Sequence, residues 1–144
     1  MNDHISFTQI NTYLICPLKY RFQYIDRIEW PFKPSALIFG SCLHKALEHY
    51  YLGKMEDRKV SHEELYSIFE GNWIKEQNGK AIFYNNGDND KKLFDMAGKL
   101  LKVFLEKKDL NKVIAVEKDF QIELKSIDTD ETLPLPLKGK IDLI

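Results

Sequence analysis

Two residues in this sequence have the type and setting that metal chemistry needs. His44 closes a Gly40-Ser41-Cys42-Leu43-His44 run of helical pattern, and far downstream Asp142 closes Gly139-Lys140-Ile141-Asp142 at the end of a strand-like run. An imidazole on a helix and a carboxylate on a strand can converge on one hard divalent cation. Taken alone, His44 equally reads as a helix histidine in an ordinary hydrogen bond. Asp142 is the stronger signal, because an ionised side chain among Ile141, Leu143 and Ile144 is unusual in a strand and calls for a partner. Glu117, between Val116 and Lys118, is a second acidic candidate that also reads as the exposed half of an alternating strand. His4, His49 and His62 form no i,i+4 metal pair with His44 and are expected to be solvated.

The elements that would carry these groups are legible in the pattern. Ser6-Phe7-Thr8-Gln9 is a capping box, after which Phe7, Ile10, Tyr13 and Leu14 form one apolar helical face. Cys16-Pro17 reads as a joint, with Pro17 in the first turn of a helical segment covering 18–24. Pro31 and Pro34 interrupt regular structure. A helix then covers 36–52, with Gly53 as its stop. Ser61-His62-Glu63-Glu64 is a second capping box that opens a helix over 62–77. Gly79 and Tyr84-Asn85-Asn86-Gly87-Asp88 read as loop. From Asp90 the stripe Leu93, Phe94, Ala97, Leu100, Leu101, Phe104 and Leu105 predicts a core-facing helix that closes near Lys107, Lys108 and Asp109.

Beyond that helix the period changes to two. A strand is predicted over 113–124 with Val116, Lys118, Phe120, Ile122 and Leu124 on one side, and a second over 135–144, antiparallel to the first. The order is helices followed by one pair of strands. It implies an α+β chain, a single domain over 1–144 that is helical over 1–110 and has its strand pair over 112–144. Such a pair is marginal alone, and strand 137–144 would be an exposed edge, so a continuation past Ile144 is expected. The rival expectation is a non-catalytic helical binding or assembly domain, in which that edge recruits another chain and 137–144 forms a homodimer.

Bulk properties narrow the function classes. With 144 residues, 44% hydrophobic, 30% charged and a net charge of −1, the chain has a core-forming composition and no global excess of cations for nucleic acid. Nucleic-acid contact would need a local patch. Lys19, Arg21 and Arg27, interleaved with Tyr20, Phe22 and Tyr24, offer one, although Asp26 and Glu29 offset the charge and core packing also accounts for the aromatics. The two cysteines, Cys16 and Cys42, lack CxxC spacing and read as reduced thiols of a cytoplasmic protein. No stretch approaches the ~18 apolar residues of a membrane span, and no signal peptide is visible, so no membrane partner is expected.

Taken in order, the stretch 6–24 (with Ser6-Phe7-Thr8-Gln9-Ile10 and Tyr13-Leu14-Ile15-Cys16-Pro17-Leu18-Lys19-Tyr20-Arg21-Phe22), the Gly40-x-x-x-His44 helix and the Gly139-x-x-Asp142 strand resemble the N-terminal part of a RecB-like nuclease of the PD-(D/E)XK superfamily. The resemblance implies a helix-rich N-terminal part packed on the first strands of a restriction-endonuclease-like core, incomplete at the C-terminus. It makes His44 a metal ligand, Asp142 both a ligand and the first catalytic carboxylate, and Glu117 a further acidic catalytic position. The ion would be Mg²⁺ or Mn²⁺, activating water for phosphodiester hydrolysis. The substrate would be single- or double-stranded DNA in recombination, repair or defence, beside a helicase partner or fused helicase domain. The family's acidic-x-Lys triplet does not follow Asp142 in this sequence, so the chain by itself is expected to be inactive or very weak. Cys16 resembles the first cysteine of relatives that hold a [4Fe-4S] cluster, but Cys42 is misplaced for that job and a buried thiol is the simpler reading.

Overall fold

The capping box at Ser6 forms as the sequence requires. Gln9 N–H donates to Ser6 Oγ at 3.2 Å, and the Gln9 side chain accepts from Ser6 N–H at 2.6 Å. In this computed structural model, which describes residues 3–77, 80–85, 87–107 and 113–144, the box opens helix α1, Phe7–Ile15. The loop expected at Gly79 and Asn86 and the helix end expected at Lys108 and Asp109 lie outside the described residues. The chain is α+β and divides into two compact units, Met1–Glu29 with Glu117–Ile144, and Trp30–Val116.

In the first unit Pro17 starts a short helix α2, Pro17–Tyr20, at a position where its missing N–H costs nothing. Cys16 is its cap, with Sγ accepting from Lys19 N–H at 3.4 Å. A π-helical turn, Arg21–Ile25, follows, closed by Asp26 N–H donating to the Arg21 carbonyl at 2.8 Å. The apolar face expected for α1 is not buried. Phe7 and Leu14 are 76% and 75% exposed, and Gln9 is the buried residue because the capping box turns its amide inward.

Strands β3 (Val116–Ile122) and β4 (Leu137–Leu143) form a two-stranded sheet. The bridge at the mouth of their connection, Lys125 with Thr132, is antiparallel. The alternation expected along β3 fails: Val116 and Phe120 are half-buried, while Lys118 and Ile122 are exposed. Glu117 adds a local break in the strand. Its φ of 53° is left-handed, and period-two alternation holds only while every residue is extended. The β4 edge is also not wholly open. Ile5 pairs in parallel with Leu137, donating to the Pro136 carbonyl and accepting from Lys138 N–H, both at 2.9 Å.

The second unit is built on three helices. Helix α3 runs Ser35–Met55, α4 runs His62–Gln77 as the sequence predicts, and α5 runs Asp90–Glu106 behind an Asn89 cap. Ile38, Cys42 and Ala46 of α3, Leu65, Phe69 and Trp73 of α4, and Leu93, Ala97 and Leu101 of α5 make one core. Phe69 centres it, with ring centroids 5.5 Å from Phe39, 5.5 Å from Phe94 and 6.0 Å from Trp73. Leu100, expected in the core stripe, is 46% exposed because it lies off the i, i+4 line that Leu93, Ala97 and Leu101 follow.

Two features of this unit depart from the expected pattern. Helix α3 passes through Gly53 and stops in a Schellman motif. Arg58 N–H reaches the Gly53 carbonyl at 2.8 Å, Asp57 N–H reaches that of Lys54 at 3.1 Å, and Asp57 takes φ of 53°. Gly53 is needed for close approach instead: a Cβ there would lie 2.6 Å from Val60 Cγ2. The strand pair at the C-terminal side is also not the only sheet. Phe32–Pro34 (β1) pairs in parallel with Ala81–Phe83 (β2), a three-residue ladder that the flanking prolines disguise.

Candidate active site

Strand β4 brings Asp142 to an exposed position two residues from Lys140, so the two share one face, while Gly139 and Ile141 take the other. Gly139 is small for a reason on that second face. The Phe120 ring of β3 covers it, and a Cβ would meet the ring at 2.5 Å. Asp119 and Glu117 reach the Lys140 side. Lys140 Nζ lies 3.2 Å from Glu117 Oε2 and 3.9 Å from Asp119 Oδ1. Two of the residues singled out in the sequence, Asp142 and Glu117, therefore stand on the same small sheet with a lysine between the strands.

A recess of about 280 Å³ opens beside this sheet, lined by Ser6, Phe7, Thr8, Phe120, Lys138 and Lys140 among others. Lys138 is engaged at its rim with Asp3 at 3.0 Å. Hydrogen bonds from His4 and Lys138 hold the Asp3 carboxyl down to about 2.

His44 is exposed on α3 of the other unit, on the opposite side of the helix from the buried Cys42 and Ala46. The remaining histidines are not merely solvated. His49 Nε2 lies 2.6 Å from Glu64 Oε1 and 3.0 Å from Arg58 Nη2, and Arg58 Nη1 also meets Glu64 Oε1 at 2.6 Å. These contacts, from His49 first and then Arg58, lower the Glu64 pKa. They also explain why the second capping box is only half formed: Glu64 N–H meets Ser61 Oγ at 3.1 Å, but its carboxylate is drawn to α3. His62 Nε2 donates to the Gly98 carbonyl at 2.9 Å, and His4 Nδ1 lies 2.6 Å from Asp3.

The basic and aromatic stretch is largely occupied. Tyr20 packs between Tyr13 and Tyr24, with centroids at 5.5 and 5.1 Å, and Arg21 Nε pairs with Asp26 at 3.1 Å. Lys19 is exposed on α2, and Arg27 follows the π-helical turn with φ of 49°. Cys42 is wholly buried, and burial, with the nearby Glu76 carboxylate, pushes its thiol up to about 11.

A model of the PD-(D/E)XK nuclease superfamily matches residues 4–144, nearly the whole chain. The chain belongs to that superfamily, and the α+β fold agrees with it. No curated protein and no solved structure matches it. For an ion of the kind these nucleases use, the donor types fit, a carboxylate oxygen on Asp142 and an imidazole nitrogen on His44. The number does not. Among the described residues no group of three or more His, Cys, Asp or Glu is arranged to hold a metal.

The motifs do not single out Lys140, because it precedes the aspartate and sits in no acidic-x-Lys triplet. Its signal was the strand register: a lysine two residues before Asp142 must share its face.

Proposed function

We propose that this chain is the N-terminal part of a RecB-like, metal-dependent nuclease that hydrolyses phosphodiester bonds of single- or double-stranded DNA. The single observation that carries the reading is the superfamily match across residues 4–144, which spans both the Gly40-x-x-x-His44 helix and the Gly139-x-x-Asp142 strand. We place the protein in the cytoplasm, in recombination, repair or defence beside a helicase, as one nuclease domain. Among the described residues no helix is long and apolar enough to cross a membrane.

In this reading Asp142 and His44 would each supply one ligand to Mg²⁺ or Mn²⁺, and the ion would supply Lewis acidity at the scissile phosphate and an activated water. Asp142 presents a carboxylate oxygen from a strand whose other face is packed by Phe120, which fixes the strand under it. Glu117 adds a carboxylate on the neighbouring strand, as the further acidic position of the site. Lys19, Arg21, Arg27 and Tyr20 are secondary contacts to the nucleic-acid backbone and bases.

The test is an assay of the full-length gene product on single- and double-stranded DNA with Mg²⁺ or Mn²⁺. His44→Ala and Asp142→Ala are each expected to lower the rate by roughly 100-fold or more, the upper end of what even outer partners of metal ligands cost. Activity that survives both substitutions would remove the mechanism. The rival reading, assembly through the β4 edge, is weakened by Ile5, which already occupies that edge at Leu137.

A further inference from the structure

We infer that Lys140 is a positioning residue of the nuclease site, whose ammonium holds the Glu117 carboxylate on the Asp142 face of the β3–β4 sheet; this rests on the reading proposed above. Three independent features of one unit point to it. The first is contact: Lys140 Nζ is 3.2 Å from Glu117 Oε2, and Glu117 is the more enclosed partner, with its side chain 22% exposed against 48% for the lysine.

The second is backbone conformation. Glu117 holds φ of 53°, a left-handed state that a glutamate adopts only when its surroundings repay the cost. A residue held in such a conformation departs from the regular strand at that point, and strained backbone of this kind clusters at functional sites. Without it, regular alternation would fix the direction of Glu117 from that of its strand neighbours. With it, the carboxylate meets a lysine on the adjacent strand.

The third is register. Lys140 and Asp142 are two apart on β4 and share a face, and Asp119, one residue from the ring-packing Phe120, reaches the same lysine at 3.9 Å. One cation thus stands among carboxylates that would otherwise repel each other and any polyanionic substrate. Its charge holds the Glu117 carboxylate in place while leaving Asp142 on the same surface. The role differs from that of a phosphate-binding lysine, which would act on the substrate directly.

A double-mutant cycle in the full-length protein, read on DNA cleavage and on DNA binding in EDTA, separates these roles. Lys140→Met is expected to lower kcat on the order of tenfold with KM within twofold, and Lys140→Arg to restore most of it. In a Glu117→Ala background, Lys140→Met should cost less than about twofold, because the group it positions is gone. DNA affinity in EDTA should stay within twofold.

Full activity of Lys140→Met, or a loss as large in the Glu117→Ala background as in the wild type, would overturn the inference. So would a tenfold weaker DNA complex with a reduced salt dependence, which marks a direct phosphate contact. Loss of activity in Asp142→Ala alongside any of these results leaves the nuclease reading intact. Activity that survives Asp142→Ala overturns both.

Discussion

At the scale of single residues, burial and pairing separate groups that look alike in the sequence. Cys42 is fully enclosed with its thiol pushed up to about 11, whereas Cys16 is half-buried as the cap of α2. Native protein at neutral pH should therefore react with a thiol reagent at Cys16 only, and two thiols should titrate in guanidinium; rapid labelling of Cys42 in the folded state would contradict the packing. Glu64 carries a different consequence. Its pKa is lowered by His49 and then Arg58, so the stability it contributes is present above its ordinary value of 4.5 and is lost as pH falls below it. Denaturant midpoints between about pH 3 and pH 6 should fall with acid in the wild type and show a shallower fall in Glu64→Gln. The sequence made His44 and Asp142 visible because each closes a glycine-led motif. It hid the Glu64 network and the Lys140–Glu117 pair, since both join residues whose neighbourhood is set by the fold and not by spacing.

At the scale of elements, what was local was readable. The Ser6 box, Pro17 at the first turn of α2 and the span of α4 are all written within a few consecutive residues. Two features were not. The β1–β2 ladder is only three residues long and joins segments that flank two helices, so neither strand has a pattern of its own. Glycine is the usual left-handed residue, so the pattern points to Gly53 as the end of α3, yet Asp57 takes that conformation and Gly53 makes room for Val60. Asp57→Gly should accordingly raise stability by up to about 1 kcal/mol, as relief of left-handed strain outweighs the added freedom of the unfolded chain. A glycine plays the packing part again in β4. Gly139→Ala drives a methyl into the Phe120 ring and should cost about 1 to 3 kcal/mol by thermal or chemical denaturation, and Phe120→Leu in the same chain should recover part of it.

At the scale of the whole molecule, one unit is continuous in sequence and the other is not. Trp30–Val116 carries the three long helices and the aromatic core, while the other unit is made of the segments on either side of it. The sequence predicted the helices and the sheet but not this division, because hydrophobic period reports which face is buried and is silent about which distant segment buries it. The parallel bridge between Ile5 and Leu137 now acquires a kinetic meaning. It closes a loop around an entire folded unit, and non-local closures of that kind form late because their entropy must be overcome before any contact rewards it. Pulse-labelled hydrogen exchange during refolding should find amides of α3, α4 and α5 protected before those of Ile5 and Lys138. On a ribosome the same order means that the strand bearing Asp142 gains its Ile5 neighbour only after all of residues 30–116 have already emerged.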